Sequence, residues 1–339
     1  MKLSDFDYSL PVELIAQYPL TERESARLLI VDRLNKKITH ASFKDFSGYL
    51  KRGDLLALNN TKVLTCRLLG HKGTGGKAKV LLTKRKNGST FEALIQPSRT
   101  KVGERIKFNH GTVTAVITNR KEISFQKRDA DNIYKLGEVP LPPYIKREPE
   151  DLDRDYYQTV YAQKEGAIAS PTAGLHFTRK ILGEIEADGI NLAYLTLHVG
   201  LGTFKPVVLE DITRHEMESE YFQVPKPAQE SIDETRKNKG KIIAVGTTTL
   251  RALEAYAIGL KEGFTDLFIY PGYKFKIVDS LLTNFHLPKT TLFMLVCAFC
   301  AAGASVSGEG GIALMKKAYQ EAIDKKYRFY SYGDAMLIV

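Results

Sequence analysis

The pattern of apolar and polar positions divides the chain into strand-like and helix-like segments. Three stretches, 178–188, 250–258 and 312–324, place apolar residues at helical spacing. Between them lie short apolar runs that are typical of strands, and their alternation with the helical stretches predicts a mixed α/β architecture. The predicted strands are 28–32, 38–43, 55–58, 241–245, 267–270 and 336–339.

The central stretch, 166–204, predicts a strand, a helix and a second strand. The first strand is 166–170, Thr178 is a suitable N-cap for the helix, and Asp188-Gly189 is a suitable stop. Such a crossover predicts that the two strands are parallel, and ligands bind beyond the carboxyl ends of parallel strands. The two loops after these strands contribute seven candidate site residues: Thr172, Gly174, His176, His198, Gly200, Gly202 and Thr203.

Histidine, threonine and glycine suit a ligand pocket because they supply proton transfer, a hydroxyl and close backbone approach. In the alternative interpretation the glycines only form turns and the histidines are satisfied core groups.

Three further polar clusters follow apolar runs. Gly246, Thr247 and Thr248 open a helix with Arg251 in its first turn, an arrangement that favours a carboxylate or phosphate. A plain helix cap explains one threonine but not three in succession. The other clusters, of which the first is equally consistent with simple Asx turns, are Asn59, Asn60 and Thr61, and Thr283, Asn284 and His286.

Between residues 64 and 144 the pattern changes to short β-rich runs without an intervening helix. Turn signals at 73–76, 87–88 and 109–111 separate these runs, and prolines at 140, 142 and 143 follow them. Such spacing indicates a small antiparallel barrel or sandwich. We predict an α/β protein in which a large mixed α/β domain, residues 1–63 and 145–339, carries an inserted small antiparallel β-barrel domain, residues 64–144.

The net charge of +10 is concentrated in this region. Residues 64–150 hold 18 Lys and Arg against 8 Asp and Glu, whereas the rest of the chain holds 31 of each sign. A nucleic acid is the natural partner for such a block, although a solvated basic surface is the alternative. The candidate contact residues are Lys72, Lys77, Lys84, Arg85, Lys86, Arg99 and Lys101.

Composition restricts the remaining possibilities. The chain starts without a signal-like apolar run, and the uncharged stretch 290–308 is too diluted by Gly, Ser and Thr to span a bilayer. Cys297 and Cys300 lie in an apolar helix, which favours core packing over zinc or redox chemistry. We expect a cytoplasmic monomer without membrane association, and no metal at the histidine and glutamates of 215–220.

Ordered strings along nearly the whole chain resemble one family, the S-adenosylmethionine:tRNA ribosyltransferase-isomerases of queuosine biosynthesis. The sequence departs from the family pattern at Glu218 (usually histidine), Lys79 (usually glutamate) and Ser170 (usually alanine), while Glu220 matches. The matching strings are GDL 53–55, NNT 59–61, DRDYYQTVY 153–161, PTAGLHF 171–177, TLHVG 196–200, GTF 202–204, VGTT 245–248, YPG 270–272, TNFHLP 283–288 and YGDAM 332–336.

The resemblance implies transfer of the ribosyl group of S-adenosylmethionine, a co-substrate, to tRNA carrying 7-aminomethyl-7-deazaguanine at the wobble position. Adenine and methionine leave, and epoxyqueuosine forms without a resident cofactor. His176, His198 and His286 are then the candidate acids and bases, in an order that stays open. The Gly246 loop and Arg251 would hold the methionine carboxylate. Asn59, Asn60 and Asn284 would read base edges, and Tyr270 belongs to the same implied site.

Two rival functions remain. An S-adenosylmethionine-dependent RNA methyltransferase is disfavoured because no glycine-rich loop after the first strand precedes an acidic residue that ends the second. A non-catalytic RNA-binding module predicts that the three histidines can be replaced by alanine with only a modest loss of stability.

Overall fold

The fold was obtained as a computed structural model that describes residues 1–200, 202, 207–302 and 308–339. The helices are α1 (Lys127–Ala130), α2 (Asp151–Tyr156), α3 (Arg179–Ala187), α4 (Lys226–Lys237), α5 (Thr247–Ala257), α6 (Thr291–Ala301) and α7 (Gly308–Asp324). The strands are β1 (Arg27–Asp32), β2 (Lys37–Ser42), β3 (Leu55–Asn59), β4 (Thr61–Val63), β5 (Arg67–Lys72), β6 (Lys77–Arg85), β7 (Thr90–Gln96), β8 (Arg105–Phe108), β9 (Val113–Asn119), β10 (Glu122–Phe125), β11 (Lys164–Ala167), β12 (Asn191–Leu197), β13 (Glu220–Gln223), β14 (Ile242–Val245), β15 (Glu262–Thr265), β16 (Ser280–Asn284) and β17 (Ala335–Ile338).

A large mixed sheet forms the centre of the molecule. Its strand order is β15-β13-β12-β3-β14-β16-β17-β1-β2. The four central strands β12, β3, β14 and β16 are mutually parallel, whereas β1 and β2 form the predicted antiparallel hairpin at one edge. The carboxyl ends of the parallel strands therefore meet at one edge of the sheet.

Helices cover both faces of this sheet, which explains the continuously apolar sequences of its central strands. Every residue of β3, β14 and β16 is buried. One core packs α4, α5, α6 and α7 against the sheet, and a second core packs α3 with Phe43 and Phe46 against the opposite face. Thr178 caps α3 as predicted, because its hydroxyl accepts a hydrogen bond from the Ile181 amide at 3.2 Å.

The basic region forms a closed barrel with the strand order β10-β7-β6-β5-β8-β9, in which neighbouring strands are antiparallel. The prediction of an inserted antiparallel barrel is confirmed, and β5 is a strand that the sequence patterns did not reveal. A small apolar cluster that includes Val63, Tyr144 and Tyr157 lies where the barrel segment leaves and rejoins the larger part. The domain boundaries at 63/64 and 144/145 stay predictions.

The predicted crossover between the strands of 166–204 is wrong. Strand β11 pairs in parallel with β4 in a separate two-stranded sheet, while β12 pairs with β3 and β13 in the large sheet. The residues that follow β11 contact the residues that follow β12 through a backbone hydrogen bond, from the Ile168 amide to the Val199 carbonyl at 2.9 Å. The loops after both segments therefore still converge.

The predicted strand 267–270 is also wrong, because the edge strand β15 ends at Thr265. The Leu267 carbonyl accepts a hydrogen bond from the Arg251 guanidinium at 3.1 Å instead of a neighbouring strand's amide. A buried side chain thus takes the place of a strand partner.

Candidate active site

A cavity of about 50 Å³ opens at the carboxyl ends of the parallel strands. Seven residues singled out from the sequence line it: Thr172, Gly246, Thr247, Thr248, Thr283, Asn284 and His286. The other lining residues are Tyr144, Tyr157, Ala169, Ser170, Pro171, Ala173, Val199, Phe285, Leu292, Tyr330 and Ser331.

His286 is the one candidate histidine that lines this cavity. Its Nε2 lies 3.0 Å from the Thr283 hydroxyl, and its backbone amide donates to the Tyr319 hydroxyl at 3.0 Å. The Tyr8 hydroxyl donates to the His286 carbonyl, so the residue is held on three sides. Burial lowers the pKa of His286 to about 3, because removing the imidazolium from water disfavours the charged form. His286 is therefore neutral near pH 7.

His176 lies directly behind Asn284. The Asn284 amide donates to His176 Nε2 at 3.2 Å, and its carbonyl oxygen accepts from the Thr172 hydroxyl at 2.8 Å. His176 lines a second cavity of about 20 Å³ instead, and Ser331 lines both cavities. Burial lowers the pKa of His176 to about 4. A neutral His176 orients the Asn284 amide and, through it, the Thr172 hydroxyl at the cavity wall.

His198 is connected to the cavity through Asn59. Its Nδ1 lies 2.7 Å from the Thr61 hydroxyl, and the Thr61 amide donates to the Asn59 side-chain oxygen at 3.1 Å. The Asn59 amide donates in turn to the Thr248 hydroxyl at 3.2 Å. Gly166 accommodates the imidazole, because a Cβ at this position would lie 2.6 Å from His198 Nε2. Burial lowers the pKa of His198 as well.

The side chains of Asn59 and Asn60 form structural hydrogen bonds at the carboxyl edge of the large sheet. The Asn59 side chain also bonds the backbone of Leu197 in both directions, at 2.9 and 3.0 Å, and so joins β3 to the end of β12. The Asn60 side-chain oxygen accepts from the Thr196 hydroxyl at 2.7 Å. Neither asparagine lines the cavity.

Helix α5 begins at the cavity without a side-chain cap. Gly246 precedes it with φ of +91°, a conformation that favours glycine, and Thr247 and Thr248 line the cavity. The Thr249 hydroxyl turns back to the Val245 carbonyl at 2.6 Å. The free amides at the start of an 11-residue helix attract a negatively charged group.

Arg251, by contrast, points away from the cavity. It is 3% exposed and forms a buried ion pair with Glu220, and the Gly200 amide donates to the same carboxylate at 2.8 Å. The predicted site residues Gly200 and Gly202 therefore lie near the Arg251–Glu220 ion pair and not at the cavity. Gly202 packs against Glu218, where a Cβ would meet that side chain at 2.9 Å, and Thr203 lies outside the described residues.

Two other predicted site residues, Gly174 and Tyr270, pack against neighbouring aromatic side chains. A Cβ at Gly174 would lie 2.1 Å from the Tyr161 hydroxyl oxygen, so packing alone requires glycine there. The half-buried Tyr270 contacts the ring of Phe268 at a centroid distance of 5.1 Å. Neither lines the cavity.

The tyrosines and serines of the cavity wall were not predicted as site residues. Tyr157 belongs to the string 153–161 and Ser331 to the string Tyr-Ser-Tyr at 330–332, so repeated hydroxyl side chains were the available signal. The hydroxyls of Tyr144 and Ser331 are hydrogen-bonded to each other. Because Tyr144 is the last residue of the predicted barrel segment, the cavity lies next to the junction with the barrel.

The candidate RNA-binding residues of the barrel fall into two groups. Lys72, Arg85 and Lys86 form ion pairs with Glu104, Asp131 and Glu122, respectively, within the same region. The other four are exposed and have no ion pair with any described residue, so their charges are available to a partner: Lys77, Lys84, Arg99 and Lys101.

The described ranges also bear on metals and membranes. They contain no group of three or more His, Cys, Asp or Glu side chains that is arranged to hold a metal ion. None of their helices combines the length and the apolar character that a membrane span requires.

An α/β sheet with covered faces, a cavity with polar lining residues at its carboxyl edge and an attached basic barrel define a two-part α/β protein with a candidate binding site at the sheet edge. The chain belongs to the queuosine biosynthesis family, because the model of that family, described as "Queuosine biosynthesis protein", matches residues 3–338. As a member of this family it is an enzyme of the transferase class.

Relatives of known name support this assignment over the full length. The chain is 51% identical to the S-adenosylmethionine:tRNA ribosyltransferase-isomerase of Sulfurihydrogenibium sp. (strain YO3AOP1) and 48% identical to that of Caldanaerobacter subterraneus subsp. tengcongensis, with all of both chains covered in each case. It is also similar to the crystal structure of S-adenosylmethionine tRNA ribosyltransferase from Thermotoga maritima. That comparison has a TM-score of 0.57 and 35% identity, and covers 99% of this chain and 100% of the other.

Proposed function

We propose that this enzyme transfers and isomerises the ribosyl group of S-adenosylmethionine onto 7-aminomethyl-7-deazaguanine at the wobble position of tRNA. The products are epoxyqueuosine-tRNA, adenine and methionine, and S-adenosylmethionine acts as co-substrate without a resident cofactor. The supporting observation is one cavity that joins a neutral histidine to an uncapped helix start, because His286 and the first turn of α5 both line it.

The start of α5 is suited to the methionine carboxylate. Its amides carry partial positive charge, and the Thr247 and Thr248 side chains lie beside them at the cavity. The Asn59 amide donates to the Thr248 hydroxyl and so orients it. Because Arg251 is bound to Glu220, the helix amides rather than the guanidinium contact the carboxylate in this proposal.

His286 is the proton-transfer group in this proposal. As a neutral imidazole it accepts the proton from the carbon next to the sulfonium, the first step of the proposed chemistry. The resulting imidazolium is then the acid that passes the proton onward to the departing adenine. Thr283 holds the ring by its contact with Nε2.

The basic barrel supports the tRNA part of the proposal. Exposed lysines and arginines without internal ion pairs attract phosphates, and the anticodon loop offers unpaired bases next to them. The junction with the barrel lies beside the cavity at Tyr144, which suits delivery of the wobble base to the bound co-substrate.

The proposal is tested by incubating the protein with S-adenosylmethionine and tRNA that bears the aminomethyl base. We expect free adenine and methionine in equal amounts, measured by liquid chromatography, and none with the same tRNA carrying guanine at the wobble position. Formation of S-adenosylhomocysteine instead would establish methyl transfer and refute the proposal.

A further inference from the structure

Two hydroxyl groups in the cavity wall lack a hydrogen-bonding partner. The oxygens of Tyr157 and Ser170 are buried, both residues line the cavity, and neither side-chain oxygen forms a hydrogen bond of normal geometry with any described residue. Tyr157 is 0% exposed and Ser170 is 6% exposed. Burial raises the pKa of Tyr157, and weak hydrogen-bonding contacts with the Ser170 backbone and the Ser331 side chain offset only part of that rise. Buried polar atoms are nearly always paired in folded proteins, so two unpaired hydroxyls in one cavity indicate a ligand contact.

The Tyr157 hydroxyl is held in a fixed position. Its ring packs edge-on against Tyr332 at a centroid distance of 5.9 Å. The Tyr332 hydroxyl donates to the Asp153 carboxylate at 2.7 Å, and Arg147 donates twice to that carboxylate at 2.6 and 2.7 Å. The Tyr157 amide donates to the Asp153 carbonyl at 3.0 Å. A phenol group that is held rigidly at a cavity is suited to binding one ligand group at a defined position.

Three other hydroxyls of the wall are already engaged. Thr172 donates to Asn284, Thr283 bonds His286, and Ser331 bonds Tyr144. The amides at the start of α5 can only donate, which suits a carboxylate. The buried Tyr157 and Ser170 hydroxyls can each donate and accept a hydrogen bond.

We infer that the Tyr157 and Ser170 hydroxyls bind the ribose hydroxyls of S-adenosylmethionine. This inference rests on the proposed function. Ribose hydroxyls donate and accept in the same way, so they pair with such groups without leaving an unmatched atom. The proposed reaction keeps the ribosyl group and releases both of its substituents, so contacts to this group are the ones that persist through every step.

The test compares binding of S-adenosylmethionine with binding of its analogues that lack the 2′- or the 3′-hydroxyl. Dissociation constants are measured by titration calorimetry for the wild type, Tyr157→Phe and Ser170→Ala. Tyr161→Phe is the matched control, because the Tyr161 hydroxyl is also buried and unpaired but its residue does not line the cavity.

We expect Tyr157→Phe to weaken S-adenosylmethionine binding about tenfold, the usual size of one missing hydrogen bond. Wild type and Tyr157→Phe should bind one of the two deoxy analogues equally, because the partner hydroxyl is missing there. Ser170 stands where the family pattern usually has alanine, so Ser170→Ala should cost less, about threefold. Tyr161→Phe should bind as the wild type does.

Unchanged S-adenosylmethionine binding by Tyr157→Phe would overturn the inference. Equal weakening for S-adenosylmethionine and both deoxy analogues would also overturn it, because the effect would then come from the fold. If the wild type itself fails to bind S-adenosylmethionine, the proposed function fails together with this inference. The wild-type titration thus separates the two failures.

Discussion

Acid should destabilise this enzyme through two buried histidines, His176 and His286. Burial lowers their pKa values to about 4 and about 3, from an ordinary value of 6.5. Each imidazole therefore binds a proton more readily in the unfolded chain than in the folded protein. The contribution of the two neutral histidines to the free energy of unfolding is complete above about pH 6.5. It is lost as the pH falls from there toward the folded-state pKa values.

The size of the effect follows from these pKa differences. One pKa unit corresponds to about 1.4 kcal/mol, so at pH 5, about 1.5 units below the unfolded pKa, each histidine lowers the free energy of unfolding by about 2 kcal/mol. The two together account for about 4 kcal/mol, a large part of the usual stability of a protein.

Urea unfolding at pH 7.5, 6 and 5 measures this effect in the wild type and in His286→Asn and His176→Asn. Between pH 7.5 and pH 5, the free energy of unfolding of each histidine variant should fall by about 2 kcal/mol less than that of the wild type. Contributions from carboxylates are common to all three proteins and cancel in the comparison. His71→Asn is the control, because His71 is exposed on the barrel, and it should follow the wild type.

An identical pH dependence in the wild type and both histidine variants would refute this reasoning. It would mean that the two imidazoles are protonated as easily in the folded protein as in the unfolded chain. The role of His286 as a neutral proton acceptor would lose its basis at the same time.

Three further predictions concern activity, RNA binding and packing. His286→Asn should slow adenine release by about 10²- to 10⁴-fold while tRNA binding, measured by filter retention, stays unchanged; normal turnover would exclude the proposed role. Arg251→Met should destabilise the protein by about 3–5 kcal/mol in urea unfolding, because it removes the positive charge that faces the buried Glu220 carboxylate. Weaker S-adenosylmethionine binding at unchanged stability would instead place Arg251 in the site. Charge reversal in the barrel should flatten the salt dependence of tRNA binding by about one unit of slope for each phosphate that the variant no longer binds, whereas Lys180→Glu on α3 serves as the exposed control, and an equal slope in all variants would point to another RNA surface. The barrel residues to reverse are Lys77, Lys84, Arg99 and Lys101.

The sequence patterns were most informative where short-range physics decides the structure. The cap at Thr178, the buried apolar strands and the turn-separated strands of the barrel all appear where the patterns predicted them. Strand β5 escaped because Gly70 and His71 interrupt its apolar pattern. The strand predicted at 267–270 failed because the Leu267 carbonyl is bonded by the distant Arg251.

Local sequence thus determined the kinds of elements, the polar clusters at strand ends and the basic character of the barrel, because propensity, capping and periodicity act within a few residues. Only the tertiary structure decided that β11 pairs with β4, that His286 lines the cavity while His176 and His198 lie behind it, and that Arg251 belongs to Glu220. Each of these outcomes is a choice among distant partners that compete for the same group. Which partner pairs with a given group depends on which ones the folded chain brings within hydrogen-bonding distance, and no local sequence pattern carries that information.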